Sequence, residues 1–257
     1  MVEKILNLEW GFFSVVHIVS LLLIPLIIVG LYYVLKNKSE KTKIIILGIL
    51  SFSGILAIIA NLVMWGSPIE YLPFHLCSLT AMCLPFAVFS KNKTLNNLLL
   101  LWSLGAVMAL VVNSAQAEYK IFSSVFAIYY FPHMLEFGIP ILMFKLGLVE
   151  KDKKCIKSTL GITFVAYTII HLINIVINNY LVGVGSDIRV NYMYSVKPEN
   201  PIFDLCYSLI PYSYWYLFLI IPIIVVYLLI IYIPEIQCTH HLENFRRNFL
   251  EVGDCHN

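Results

Sequence analysis

The sequence predicts an all-α, polytopic membrane protein folded as a bundle of seven transmembrane helices. The chain has 257 residues, of which 60% are hydrophobic and only 12% are charged, whereas a soluble domain carries roughly 25% charged residues. Its apolar residues are also grouped into seven long runs separated by polar stretches. Because about 20 apolar residues cross the hydrocarbon core of a bilayer, each run is expected to form one spanning helix.

The polar boundaries of the runs place the seven predicted spans along the chain. They cover residues 12–35, 44–64, 72–90, 95–113, 122–145, 156–178 and 212–233. The first run is too long for a signal peptide and no small-residue cleavage site follows it, so we expect it to remain as a helix. Aromatic side chains typical of membrane interfaces lie near several predicted ends: Trp65, Tyr71, Tyr212, Tyr214 and Trp215.

Lys and Arg are unevenly divided between the two sets of loops. Thirteen lie after the first, third and fifth runs and in the C-terminal tail, against four on the opposite side. Because Lys- and Arg-rich loops stay in the cytoplasm, the sequence predicts an outside N-terminus and a cytoplasmic C-terminus in the cell membrane. Residues 1–234 are the predicted transmembrane domain, and residues 235–257 are a short polar cytoplasmic tail.

Composition argues against several classes of protein. A net charge of +2 without a basic arm argues against nucleic-acid binding. The six cysteines are scattered and form no CxxC pair, which argues against a zinc knuckle, a redox pair or a disulfide framework. No internal repeat stands out, so the sequence does not indicate an inverted-repeat transporter. Gly and Pro in the longest connection, residues 179–211, predict turns rather than a regular element.

Four histidines interrupt the apolar runs: His17, His75, His133 and His171. Ionisable groups inside a span are costly and tend to mark a site. At about 1.5 Å per helical residue, all four fall in the outer half of the bilayer. We expect His75 about one turn into the third span, His133 near the midplane, and His171 about 10 Å from the outer end of the sixth. A lone histidine often only joins two helices through a hydrogen bond, and this interpretation fits His17 best.

Helical spacing groups the deeper polar residues. His171, Asn174 and Asn178 follow an i, i+3, i+7 pattern, which predicts one polar stripe on the sixth span. His133 and Glu136 are three residues apart and share a face. Because a bare carboxylate at that depth is costly, these two residues are a candidate acid/base or orienting pair.

The third span begins with residues 72–78, LPFHLCS. A thiol near a histidine suggests a Cys–His nucleophile, although a buried Cys is more often an inert apolar residue. On a helix with about 100° per residue, His75 and Cys77 point about 160° apart, whereas His75 and Ser78 are neighbours. A nucleophilic Cys77 therefore needs its base from another helix, either His133 or His171.

Two other interpretations of the polar layer stay open. The imidazoles and Glu136 are suitable zinc ligands, but no two of the histidines have i, i+4 spacing on one helix, so no metal and no cofactor are expected. Alternatively, the pocket serves a transporter or a small-ligand-binding protein without catalysis, in which the histidines form a proton or substrate path. In the outer loop, Arg189 and Lys197 suit contact with a lipid phosphate or are simply solvated.

Three features resemble the YwaF family of bacterial integral membrane proteins over most of the chain: the entry at residues 73–77, the span that contains His133, and residues 191–193 followed by 197–198. That family is similar to the eukaryotic transmembrane protein 164 group. The resemblance implies a membrane-embedded acyltransferase acting on glycerophospholipids, in which a cysteine beside the entry histidine carries the acyl group. Here Phe74 takes the position of that cysteine, so only His75 transfers directly and Cys77 is our inferred nucleophile.

The sequence thus predicts an outward-opening polar pocket for acyl transfer or hydrolysis on membrane lipid, which is both the expected substrate and the solvent. Cys77 is the predicted nucleophile, His133 or His171 the base, and Glu136 its orienter. The predicted catalytic residues are Cys77, His75, His133, Glu136 and His171. The predicted substrate-binding residues are Ser78, Asn174, Asn191, Tyr192 and Lys197. No nucleic-acid partner is expected.

Overall fold

The computed structural model describes residues 8–65, 67–112 and 116–232, so the predicted tail at 235–257 lies outside the described residues. Within these ranges the backbone is helical, and the β-type pairing is an isolated antiparallel bridge between Glu9 and Lys120. Residues up to Leu217 form one compact unit. A second unit begins at Phe218 and is described as far as Tyr232.

The first unit consists of helices joined by short connections. Its α-helices are α1 (Val15–Leu35), α2 (Glu40–Ser51), α3 (Ser53–Met64), α4 (Leu76–Ser90), α5 (Lys93–Val111), α6 (Ser124–Lys145), α7 (Cys155–Gly183) and α8 (Pro201–Leu209). Single 3-10 turns occupy Pro68–Tyr71 and Tyr192–Tyr194. A further apolar helix, Tyr216–Tyr232, continues into the second unit.

Five helical segments are long and apolar enough to cross a membrane: α1, α2 with α3 as the single segment Glu40–Met64, α5, α6 and α7. Helix α4 and the Tyr216–Tyr232 helix are apolar but shorter. Large apolar side chains on the outer faces are strongly exposed, among them Val15, Val63 and Phe86 at 77%, 80% and 71%. Such faces are stable against lipid tails and unfavourable in water, so the chain is a multi-pass membrane protein.

Three boundaries differ from the sequence expectations. Helix α4 starts at Leu76 rather than at residue 72; Pro73 accounts for the non-helical backbone of Leu72, the residue before it. Helix α7 continues to Gly183, so His171 lies about 18 Å from that end rather than the expected 10 Å. The connection after α7 contains helix α8, where Pro201 occupies the first helical turn and the Asn200 side chain caps it.

Polar side chains start most of the long helices. Ser14, Ser39, Asn92 and Ser123 each accept a hydrogen bond from a first-turn backbone N–H of α1, α2, α5 and α6. Such caps satisfy N–H groups that the helix itself leaves free. Helix α4 lacks a side-chain cap of this kind, which matters for the site described below.

Helices α5 and α6 lie at the centre of the first unit, with 56% of each span buried inside the protein, against 11% of α7. Glycines allow close helix approach around this centre. A Cβ atom on Gly138 of α6 would lie 2.7 Å from the Ile28 side chain of α1, and one on Gly48 of α2 would lie 2.3 Å from the Phe89 ring of α4. The bundle around the site is therefore held at short interhelical distances.

Charged groups tie the helix ends together on the Lys-rich side. Lys91 pairs with Glu40 at 2.5 Å, and Lys93 pairs with Asp152 at 2.9 Å. The Lys93 hydrogen bond, followed by that of the Lys154 backbone N–H, holds the pKa of the Asp152 carboxyl below its usual value. The loop before α7 is thereby fixed against the start of α5.

Candidate functional site

His75 precedes the first turn of α4. Its backbone is extended, with φ −75° and ψ 154°. The sequence expectation that His75 lies one turn inside the third span is therefore wrong. The helical phase that set His75 about 160° from Cys77 does not apply either, because that argument requires helical backbone at both residues.

The His75 side chain bonds to a distant loop instead of capping its own helix. Its Nδ1 accepts a hydrogen bond from the backbone N–H of Met193 at 3.3 Å. Ser, Thr, Asp and Asn are the usual capping residues, and His75 makes no capping hydrogen bond. The first N–H groups of α4, around Cys77, thus keep the positive end of the helix dipole without a side-chain cap.

Cys77 and Ser78 lie in the first turn of α4, and both are half-buried. The Cys77 thiol is free. It is within electrostatic range of Glu136 and Tyr129 on α6, and of Tyr194 in the connection after α7. These neighbours belong to α6 and to the connection after α7.

His133 lies near the middle of α6 and is half-buried. Its Nδ1 is 2.7 Å from the backbone carbonyl oxygen of Tyr129, and the two rings are 4.4 Å apart. A carbonyl oxygen only accepts, so Nδ1 carries the proton and donates it. In the neutral ring Nε2 then has a free lone pair, which is the form that a general base requires.

Glu136 is the buried carboxylate of this cluster, with 3% of its surface exposed. A Cβ atom on Gly54 of α3 would lie 2.9 Å from its Oε1, and 2.5 Å from the Cβ atom of Ala81 on α4. The carboxylate is thus wedged where α3, α4 and α6 meet. Its Oε2 is buried without a hydrogen-bond partner among the described residues, and it lies within electrostatic range of His133 and Cys77.

The contact that orients His133 differs from the expectation. Its Nδ1 is engaged by the Tyr129 carbonyl, so Glu136 does not orient the imidazole through that nitrogen. Glu136 lies within electrostatic range of the ring. The orienting group belongs to the backbone one turn earlier, which no side-chain motif reveals.

The polar stripe on α7 holds the following connection, here called the 190–199 loop. Asn174 donates to the Tyr192 carbonyl at 2.8 Å and accepts from the Tyr192 N–H at 3.0 Å. Asn178 does the same with both backbone groups of Val190, at 2.8 Å each. These paired bonds resemble those of a β-ladder, with two side-chain amides in place of a strand.

His171 and Ser195 complete this anchor. The His171 Nδ1 is 3.0 Å from the Ser195 hydroxyl, which also accepts from the Asn174 amide at 2.9 Å. Ser195 is fully buried. The predicted stripe is therefore confirmed as one face of α7, and its contacts are with the loop backbone and with the Ser195 hydroxyl.

The 190–199 loop carries unusual backbone strain. Met193 and Tyr194 have positive φ values of 52° and 54°, which cost energy for residues other than Gly. The Asn191 side chain closes the loop by accepting from the N–H groups of Val196 and Lys197 and donating to Glu199. This geometry directs the Met193 N–H toward His75.

Tyr192 connects the loop to the entry of α4. Its fully buried ring lies 5.3 Å from Phe74 and 5.7 Å from His75. Its hydroxyl donates to the Ile69 carbonyl. Burial, followed by the nearby Glu70 carboxylate, raises the pKa of Tyr192 to about 12, so the phenol stays a neutral donor at physiological pH.

The predicted residues therefore fall into two connected groups and a remainder. His75, Cys77, His133 and Glu136 form a cluster between α4 and α6. His171, Asn174, Asn191 and Tyr192 hold the 190–199 loop against that cluster. Lys197 has an exposed side chain and Ser78 stays beside Cys77.

His17 is a structural residue, as expected. Its Nδ1 accepts from the Phe13 N–H at 3.0 Å, and its Nε2 donates to the Leu110 carbonyl at 2.8 Å. The ring is fully buried and both nitrogens are used, so it has no atom left for chemistry.

Sequence reasoning missed several contributors to the cluster and to the group that holds the 190–199 loop: Gly54, Tyr129, Met193, Tyr194 and Ser195. Gly54 acts through the absence of a side chain, and Met193 acts through its backbone N–H. No residue pattern signals either feature. Tyr129 precedes His133 by one helical turn and orients it through its backbone carbonyl. Within the described residues, no cluster of three or more His, Cys, Asp or Glu side chains is arranged to hold a metal ion.

The fold and the site define a multi-pass membrane protein in which Cys77, His133 and Glu136 lie on α4 and α6, two helices that contact each other. The family model of the TMEM164 family matches residues 12–232, and the chain belongs to this family. Neither curated proteins nor solved structures give a significant match.

Proposed function

We propose that this protein is a membrane-embedded acyltransferase or hydrolase acting on the ester bonds of membrane lipids, with Cys77 as nucleophile and His133 as general base. The observation that carries the proposal is the Nδ1–H form of His133, which leaves the Nε2 lone pair for a base, on a residue that shares Glu136 with Cys77 as an electrostatic neighbour. A thiol nucleophile requires such a base. Membership of the TMEM164 family supports a location in the membrane, where lipid esters are available.

The reaction proceeds in two steps, acylation of Cys77 and transfer of the acyl group. In the first, the thiol proton moves to the His133 Nε2 while sulfur adds to the ester carbonyl carbon. The carbonyl re-forms, the alcohol of the lipid leaves with the proton from His133, and an acyl thioester remains on Cys77. In the second step an acceptor hydroxyl, or water in the hydrolase case, gives its proton to His133 and takes the acyl group, and the thiol regains its proton.

Glu136 and α4 stabilise the charges that form during these steps. When it is ionised, the buried Glu136 carboxylate stabilises the imidazolium on His133 through charge rather than through a hydrogen bond. The uncapped first turn of α4 presents the positive end of its dipole to negative charge beside Cys77. Asn174, Asn191 and Tyr192 contribute by holding the 190–199 loop against the site.

The arrangement in the membrane belongs to the same proposal. Seven spans in the cell membrane, with the N-terminus outside, place the Lys91 and Lys93 loop in the cytoplasm and the 190–199 loop outside. The transmembrane domain covers residues 1–234, and the tail at 235–257 is cytoplasmic. Impermeant maleimide applied to intact cells tests this in a cysteine-free background, where Asp187→Cys is labelled and Lys153→Cys is not; the reverse pattern contradicts the orientation.

Lipid profiling of expressing cells tests the enzymatic proposal. Wild type is compared with Cys77→Ala and His133→Ala, and Cys83→Ala on the same helix α4 is the matched control, since Cys83 is free, half-buried and away from the cluster. We expect altered acyl distributions with wild type and Cys83→Ala only. Identical distributions in all four strains contradict enzymatic activity.

One observation favours a second candidate, a transporter. A buried carboxylate without a hydrogen-bond partner, such as Glu136, is typical of proton or cation paths through membranes. In that case Glu136→Gln abolishes substrate-coupled proton movement in proteoliposomes, while Cys77→Ala leaves it unchanged.

A further inference from the structure

The two histidines of the cluster receive opposite hydrogen bonds from the backbone. His75 accepts a peptide N–H of Met193 at its Nδ1, and His133 faces the peptide carbonyl of Tyr129 with its Nδ1. A peptide N–H never accepts and a carbonyl oxygen never donates. The neutral rings therefore have the proton on Nε2 in His75 and on Nδ1 in His133.

We infer that His75 is the hydrogen-bond donor to the lipid carbonyl oxygen, which becomes an oxyanion when sulfur adds, while His133 is the base. This inference rests on the proposed function and assigns the two imidazoles separate roles. An imidazole whose Nδ1 already accepts a hydrogen bond offers only an N–H at Nε2. It is suited to stabilise an oxyanion and unsuited to remove the thiol proton.

The surroundings of His75 fix the direction of that N–H. Its ring lies 5.7 Å from Tyr192 and 5.4 Å from Tyr194, so two aromatic rings restrict its rotation. The backbone N–H of Met193 binds the His75 Nδ1, and Met193 itself has a strained backbone conformation with φ 52°. Strain of this kind persists where the surrounding structure enforces it, and it is often found at functional sites.

The position of His75 in the chain supports the same role. It is the residue before α4, two positions ahead of Cys77, and its side chain does not cap the helix. An oxyanion formed on a substrate attached to Cys77 therefore meets the Nε2–H of His75 and the uncapped N–H groups of the first turn. Donors preorganised in this way are the usual basis of oxyanion stabilisation.

Electrostatics keep the two roles separate during the reaction. His75 and His133 lie within electrostatic range of each other. Once His133 has taken the thiol proton, its positive charge opposes a second proton on His75. His75 then remains a neutral donor while His133 is the cation that returns its proton to the leaving alcohol.

Nitrogen NMR of the full-length protein in lipid nanodiscs tests the tautomers directly, with ¹⁵N,¹³C-labelled histidine at neutral pH. Signals are assigned with His75→Gln and His133→Gln. His17 is an internal reference, because its Nδ1 accepts from Phe13 and its Nε2 donates to Leu110. We expect the Nε2–H form for His75 and His17 and the Nδ1–H form for His133; any other form of His75 or His133 overturns the inference.

Kinetics of acyl transfer test the role of the donor. His75→Ala should lower kcat by about 100- to 1,000-fold with little change in KM, and His75→Gln should restore much of the loss, since its amide N–H lies near the position of Nε2. At position 133, glutamine should not restore activity in this way, because an amide is not a base. Equal losses in His75→Ala and His75→Gln, with unchanged thermal stability of His75→Gln, overturn the inference. Absence of acyl transfer in the wild type contradicts the proposed function instead, while the NMR result still decides the tautomers.

Discussion

Replacing Gly54 of α3 tests how tightly the cluster is held. An alanine Cβ there would lie 2.5 Å from the Cβ atom of Ala81, 3.3 Å from its Cα atom, and 2.9 Å from the Glu136 carboxylate oxygen. Ala81 is fully buried and presents backbone, so it cannot turn aside. Overpacking of this kind costs about 1–3 kcal/mol of folding free energy, which lowers Tm by about 2–4 °C per kcal/mol for a chain of this size.

The assay is thermal denaturation in lipid nanodiscs, with two matched variants. Gly161→Ala on α7 is the control, because a Cβ there meets nothing within 4 Å; we expect it to be neutral or stabilising by about 0.5–1 kcal/mol. Ala81→Gly in the Gly54→Ala background removes the contacting Cβ and should restore part of the loss. If Gly54→Ala behaves like Gly161→Ala, the close packing of α3 on Glu136 and α4 is refuted.

Three further predictions concern the 190–199 loop and the ion pair between Lys93 and Asp152. Asn174→Leu leaves the buried backbone of Tyr192 without partners and should cost about 2–4 kcal/mol; proteolysis within residues 190–199 should rise with it, and unchanged proteolysis contradicts the anchoring role. Tyr192→Phe removes the bond to the Ile69 carbonyl and should cost about 1–2 kcal/mol. Because the pKa of Tyr192 is raised to about 12, the wild type should also lose this stability as pH rises from about 10 toward 12, and a phenylalanine variant with the same alkaline loss contradicts this. The pKa of Asp152 is held low by Lys93, so the ion pair should stabilise the fold above about pH 4 and fail as pH falls through the lowered pKa; Asp152→Asn should remove that acid dependence, measured by melts at several pH values.

Hydropathy predicted the helical membrane class, and helical spacing predicted the α7 stripe, because both depend on side chains at regular intervals. His171, Asn174 and Asn178 share a face whatever they contact. Their partners were beyond prediction, since these are backbone groups of Tyr192 and Val190 and the hydroxyl of Ser195, in a loop that follows α7 by several residues. The connection at residues 179–211 was expected to contain only turns, yet Asn200 and Pro201 together form a strong helix start for α8.

The residues of the cluster were named from the sequence, but part of the geometry predicted for them was wrong. The helical phase separated His75 from Cys77, but α4 starts at Leu76 and His75 is extended, which removes the premise of that argument. The hydrogen bonds that fix both imidazoles come from the peptide groups of Met193 and Tyr129. Side-chain patterns do not encode such contacts, because any residue type supplies the same N–H and carbonyl.

The central claim, that Cys77 carries the acyl group, is tested most directly by intact-protein mass spectrometry. The purified protein in nanodiscs is incubated with phospholipid of one defined acyl chain and quenched in acid, so that the thioester survives. We expect an added mass equal to that acyl group in wild type and Cys83→Ala, its removal by neutral hydroxylamine, and its absence in Cys77→Ala and His133→Gln. Turnover of lipid without an adduct, or the same adduct in Cys77→Ala, contradicts the account.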